Sequence, residues 1–187
     1  TGVLTQYNNY TLTGNMHLDD GINLNMQTYK ITCIAASKSF EIGANSYIYS
    51  YIVDTSATIT YAFPTGFSSY TIHPTNSYYL RGTHKQSILP GVTYGNVYLN
   101  DNFARETHLH GDLIVQSNLI VNSNLIQLID NGYNIYLGGA SADLRNYTAS
   151  STSTFFFNGE GNQQIYAGGG FNEVRLNHLA TTNKGGI

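Results

Sequence analysis

The side chains in this sequence best suited to chemistry are its histidines, a few acidic turn residues and a short run of tyrosines. His108 and His110 are two residues apart, which places them on one side of a strand. Two imidazoles so placed can bind Zn²⁺ only with a third ligand, and no metal-ligand motif makes one evident, so they read as exposed residues of one strand face. His17 is isolated in the same way. Asp19-Asp20-Gly21 and Asp101-Asn102 carry the hard oxygen donors that Ca²⁺ takes. Neither has the ligand count of a defined calcium loop, so turn formation is the better reading and no other cofactor is expected. Tyr47, Tyr49 and Tyr51 alternate along one stretch and form a stripe that could stack on sugars or grip a partner; packing along a sheet surface is the competing use. Gly-x-Ser-x-Gly, His-Glu-x-x-His and the Walker phosphate loop are all missing from the sequence. A carboxylate pair for glycoside hydrolysis is defined by spatial separation, which sequence does not give. Asn9-Tyr10-Thr11 and Asn146-Tyr147-Thr148 match the glycosylation sequon, as an Asn- and Thr-rich chain does by chance.

The pool from which catalytic groups are drawn is small. Charged residues are 10% of the 187, with 8 Lys and Arg against 11 Asp and Glu. An average soluble domain has about 25%. A net charge of -3 leaves no basic stripe for a phosphate backbone, which argues against nucleic acid as a partner. With 41% hydrophobic residues the chain is not disordered by composition. Cys33 is the only cysteine, so no intrachain disulfide forms; its neighbours Ile31 and Ile34 suggest a buried thiol. No apolar run is long enough for a membrane span, and the start at Thr1 suggests a processed or partial chain.

Sixteen Tyr, eight Phe and many Thr, Ile and Val favour pleated strands, and 19 Gly with abundant Asn favour turns. Period-two alternation runs through Leu109, Gly111, Leu113 and Val115, and through Tyr133, Ile135 and Leu137. The elements that must position the candidate residues are therefore many short, half-buried strands, with no long helix.

These strands recur. At a spacing of 77 residues, Gly82, Gln86, Ile88, Gly91, Val97, Leu99 and Asn100 match Gly159, Gln163, Ile165, Gly168, Val174, Leu176 and Asn177 without a gap. A looser echo links Tyr10-Thr11-Leu12-Thr13-Gly14-Asn15-Met16-His17-Leu18 to Thr107-His108-Leu109-His110-Gly111-Asp112-Leu113-Ile114-Val115, and LNMQTYKITC from Leu24 to LIDNGYNIYL from Leu128. The division that follows is a partial β-repeat unit at 1–44, an inserted antiparallel hairpin or small sheet at 45–77, a repeat unit at 78–154 and the start of the next at 155–187. In the insert, residues 54–57 form a turn between two strands, and Pro64 to Gly66 leave the sheet, because Pro has no N–H to give the ladder. LIVQSN followed by LIVNSN from Leu113 is either a hexapeptide β-helix step or two neighbouring strands of one solenoid that look alike.

The stretches FNGEGNQQIYAGGGFNEVRLN and HGDLIVQSNLIVNSNLIQLIDNGYNIYLGG resemble repeats of very large secreted surface proteins of Bacteroidetes, many of them exported by type IX secretion and some acting as gliding or adhesion filaments. The segment ITYAFPTGFSSYTI is similar to the FPxG stretch found between such repeats. The resemblance covers nearly the whole chain and implies an exported, repetitive β-solenoid-like or β-sandwich-like stalk.

The expected architecture is all-β: β-solenoid repeats, parallel and β-helix-like, carrying the small antiparallel insert. Stacked units supply one another's core, Gln86 and Gln163 satisfy backbone groups at a bend, and Asn100, Asn118, Asn124 and Asn177 form turn ladders. The expected function is a structural and adhesive module of an extracellular surface protein or fibre, not an enzyme. Its partners are neighbouring units, other copies of itself or surface glycans. A carbohydrate-binding or carbohydrate-active β-helix and a self-assembling filament subunit are the alternatives.

Overall fold

Short alternating strands separated by Gly, Asn and Ser corners coil into a parallel β-solenoid in the computed structural model, which describes residues 2–54, 58–99, 105–121, 126–145, 147–160, 163–167 and 170–176. Each coil crosses three walls. The first has β1 (Gly2–Thr5), β2 (Tyr10–Leu12) and β3 (Met16–Leu18); the second has β4 (Ile22–Asn25), β5 (Ile31–Cys33) and β6 (Ser39–Ile42). The third has β7 (Tyr47–Ser50) and β8 (Ser69–Ile72). The fourth has β9 (Ser77–Leu80), β10 (Gln86–Ile88) and β11 (Thr93–Tyr94), and the fifth β12 (Asn96–Tyr98), β13 (Arg105–Leu109) and β14 (Leu113–Val115). The sixth has β15 (Leu119–Ile120), β16 (Ile126–Ile129) and β17 (Ile135–Leu137), and the seventh β18 (Ser141–Leu144), β19 (Tyr147–Thr148) and β20 (Thr154–Phe157). An eighth begins with β21 (Gln164–Ala167) and β22 (Glu173–Leu176).

The first wall is one sheet running β1-β4-β7-β9-β12-β15-β18-β21 through every coil. Every strand pairing among the described residues is parallel, and none of those residues is helical. Inward residues fall in columns. On the first wall Leu24, Ile48, Tyr78, Val97, Leu119 and Ala142 lie one over another and are all buried. One coil cannot cover its own apolar side; the next coil does it, and each buried Leu or Phe contributes about 1.5–3 kcal/mol relative to exposure.

The segment 45–77 is not an antiparallel insert. It is the third coil, with β7 parallel to β4 and β9, and β8 parallel to β6. Alternation has the same period in both strand directions, so it could not tell a reversing hairpin from a chain that turns a corner. The expected turn falls partly on residues 55–57, outside the described residues. Beyond it, Tyr61 bridges Ser87 and Thr65 bridges Thr32, which carries the second wall across this coil. The chain does not leave the sheet from Pro64 onward: Pro64 has no N–H for the ladder, but Thr65 makes two ladder bonds, donating to Ile31 O and accepting from Cys33 N. Gly66 then leaves with φ +82°; a Cβ there would sit 2.0 Å from Cys33 O. From this long coil Phe63 is buried in the core, edge-on to Tyr78 and Tyr94, 5.1 and 5.3 Å between ring centres.

The 77-residue match is not the stacking step. Stacked residues are separated by one coil, from 19 residues between Tyr78 and Val97 to 33 between Thr32 and Thr65. A shift of 77 residues moves each element round by one wall: Ile88 is buried on the second, whereas Ile165 is half-buried on the first. Likewise Val97 is buried on the first wall and Val174 half-buried on the third; Leu99 is fully buried and Leu176 is 50% exposed. The repeated residues share a corner design. Gln86 donates to Ile52 O at 2.8 Å and accepts from Gly82 N at 3.0 Å, and Gln163 donates to Leu137 O at 3.2 Å and to Gly139 O. The glycines make room for these amides: a Cβ on Gly82 or Gly159 would come within 2.7 Å of the Gln side chain. Gly91 turns its corner at φ +75°. Asn100, Gly168, Asn177 and Asn124 lie outside the described residues.

The first part of the looser echo follows the walls, whereas its second part shifts by one wall: Leu24 lies on the first and Leu128 on the second. Leu12 and Leu109 end second-wall strands, and Met16 and Leu113 begin third-wall strands. Asn15 Oδ1 accepts from Ser39 N in the next coil, and Asp112 Oδ1 does the same for Asn134 N. The six-residue echo joins consecutive walls, the third at β14 and the first at β15.

Candidate functional site

Along β7, Ile48 and Ser50 point inward, leaving Tyr47 and Tyr49 on the outer surface of the first wall. Parallel register brings Tyr79 over Tyr49 and Tyr98 over Tyr79. In-register strands are about 4.8 Å apart, so like side chains meet ring to ring. The centroids of Tyr49 and Tyr79 are 5.0 Å apart at 19°, and those of Tyr79 and Tyr98 4.7 Å apart at 12°. Tyr47 leans on both Tyr49 and Tyr79 at about 6 Å. The Arg81 guanidinium covers one end, 4.7 Å from the Tyr49 ring and 5.4 Å from that of Tyr79. Tyr51 is not in the stack; its hydroxyl accepts from Arg81 Nη1 at 3.5 Å. Burial, then the neighbouring phenols, hold Tyr79 above the ordinary tyrosine pKa against a hydrogen bond from Ser77.

The stripe expected at Tyr47, Tyr49 and Tyr51 thus divides. Tyr47 and Tyr49 join a ladder whose other members, Tyr79 and Tyr98, sequence reasoning missed, because unequal coil lengths hide the register. Stacked rings spend their faces on one another. What they offer outward is a ridge of ring edges and hydroxyls, with Tyr47 the most open at 37% exposed. The third wall repeats the device: Tyr136 and Phe156 stack at 4.6 Å and 4°, with Arg175 over Phe156 at 5.7 Å.

A polar cluster on the second wall was only half visible in the sequence. Ser87 Oγ donates to Asp54 Oδ2 at 2.6 Å, and His110 Nε2 lies 2.9 Å from Ser87 Oγ. This is not a nucleophilic triad. The serine sits between the acid and the base, its proton faces a carboxylate, and its side chain is fully buried. The imidazole therefore donates through Nε2, and the chain Asp54–Ser87–His110 clamps the third coil to the fourth and fifth. Burial lowers the His110 pKa, with His108 and Lys85 adding to the effect and Asp54 opposing it.

His108 and His110 do share a strand side, their rings 6.4 Å apart. His108 is engaged by Glu106 at 2.9 Å and by Asn131 at 3.3 Å. His17 contacts Asp19 and Glu41 at the surface. Among the described residues no three His, Cys, Asp or Glu converge as a metal site. Asp20 Oδ1 accepts from Ala44 N, a turn role, whereas 101–102 lie outside the described residues. Cys33 is buried on β5.

Compared with known proteins, the chain matches no family model, no curated protein and no solved structure.

Proposed function

We propose that the chain is a structural and adhesive repeat module, non-catalytic, of an extracellular cell-surface protein or fibre. The observation that carries this reading is the use of wall side chains on one another. Tyr49, Tyr79 and Tyr98 stack in register, and Asn76, Asn96 and Asn118 pass hydrogen bonds from coil to coil. Such ladders give a rod stiffness without disulfides and leave few groups for catalysis. Adhesion falls to the tyrosine ridge, where phenolic edges and the open Tyr47 present hydroxyls and apolar carbon to a glycan or protein surface. The test is a glycan array followed by turnover assays on every polysaccharide bound. Binding without cleavage, weakened by Tyr47→Ala, fits the proposal; cleavage contradicts it.

A second reading is a self-assembling filament subunit, in which strands of separate chains pair edge to edge. Electron microscopy of native material separates the two: polymers of separate chains favour the filament, one long polypeptide the module.

A further inference from the structure

The first-wall ladder holds three phenols ring to ring at an accessible surface. The core pair Tyr78 and Tyr94 also stacks, at 5.3 Å, but both are buried and their hydroxyls are bonded to Ala62 O and Leu89 O. Tyr49, Tyr79 and Tyr98 are half-buried on the outer wall, with ring edges at solvent. The chain has no Trp, and its one thiol, Cys33, is buried, so surface tyrosine is the ready electron donor.

We propose that Tyr49, Tyr79 and Tyr98 form a site of oxidative cross-linking, in which a haem-peroxidase-class oxidant with hydrogen peroxide joins two neighbouring phenols as dityrosine. Each phenol gives one electron to the oxidant and its hydroxyl proton to water. The two phenoxyl radicals form one bond between ring carbons ortho to the oxygens. The hydrogen on each of those carbons then passes to the adjacent oxygen, restoring both rings. Overall two electrons and two protons leave, and one hydrogen peroxide becomes two waters. The bond staples the third coil to the fourth, or the fourth to the fifth. It closes a chain loop, as a disulfide would, in a sequence whose single cysteine makes none. The proposal rests on ladder geometry and not on where the module is exported.

The third wall supplies an internal control. Tyr136 and Phe156 stack as closely as the ladder but include only one phenol. The experiment treats the dilute chain with a haem peroxidase and hydrogen peroxide, isolates the monomer, reads dityrosine fluorescence and maps linked peptides by mass spectrometry. Expected are intramolecular links 49–79 or 79–98, loss of most of that yield in Tyr79→Phe, and a new 136–156 link in Phe156→Tyr. Links only between molecules through the exposed Tyr7, Tyr10 or Tyr166, an unchanged monomer yield in Tyr79→Phe, or no 136–156 link in a folded Phe156→Tyr chain would each overturn it. Each variant differs from the parent by one hydroxyl, and circular dichroism verifies the fold.

Discussion

Asn96 Oδ1 accepts two hydrogen bonds from Asn118, one coil further on: from its backbone N at 3.2 Å and from its Nδ2 at 2.9 Å. Asn96 itself donates through Nδ2 to Asn76 O at 3.1 Å, and Ser141 Oγ donates to Asn118 Oδ1 at 2.8 Å. One side chain thus ties three coils at the entry to the first wall. Replacing Asn96 with Ala strands these groups in a buried corner and should cost about 1–3 kcal/mol. Denaturant titration reads this as a lower midpoint; an unchanged midpoint would show that the ladder bears no load.

Gln86 is fully buried and closes a corner through Gly82 N and Ile52 O. Gln86→Leu keeps the volume but leaves that donor and that acceptor without the amide. The expected loss is about 2–4 kcal/mol, larger than for an exposed Gln such as Gln164 exchanged in the same way. Equal losses at the two positions would refute the corner role.

Asp130 is buried, and its carboxylate accepts from Gly132 N, Tyr147 OH, Ser150 N and Ser153 Oγ. Burial pushes its pKa up, but these donors outweigh burial and hold it below the ordinary carboxylate value. A depressed folded pKa means the stabilisation is fully present above the unfolded value, about pH 4, and is lost as pH falls through the lower folded value. Unfolding free energy should drop across that acid window in the parent chain and drop less in Asp130→Asn, which begins about 2–3 kcal/mol less stable. Parallel pH curves for the two chains would contradict this.

The His110 clamp responds at a higher pH. Burial places its folded pKa below the unfolded one, so its contribution is fully present above about pH 6.5 and declines as pH falls through the folded value. His110→Gln, which cannot protonate, should flatten stability between neutral and mildly acidic pH. A slope that survives the substitution would assign it to another histidine.

Much of the fold was legible because period-two alternation, sparse charge and Gly/Asn corners all point to short stacked strands. Strand direction at 45–77 was not, since a hairpin and a corner share the same alternation. The coil step was hidden as well. The Gly-x-x-x-Gln corner serves once between β9 and β10 and once between β20 and β21, so its best sequence match crosses walls. Gln27 and Asn131 show the same reuse: they are equivalent in the looser echo, both have positive φ, and they turn different corners. Tyr47 and Tyr49 were legible as a stripe, whereas Tyr79 and Tyr98 join them only through register. Asp54 and Ser87 are 33 residues apart and meet only because the third coil folds back on the second wall.

The central claim is that residues one coil apart, and not one 77-residue unit apart, lie over one another. Paired cysteines in a Cys33→Ser background test it most directly. Tyr79→Cys with Tyr98→Cys places the two on adjacent in-register strands, within the Cα separation that a disulfide spans. Under mild oxidation this pair should close an intramolecular disulfide, and Ile88→Cys with Ile165→Cys should stay reduced in the monomer. A disulfide at 88–165 with none at 79–98 would contradict the account.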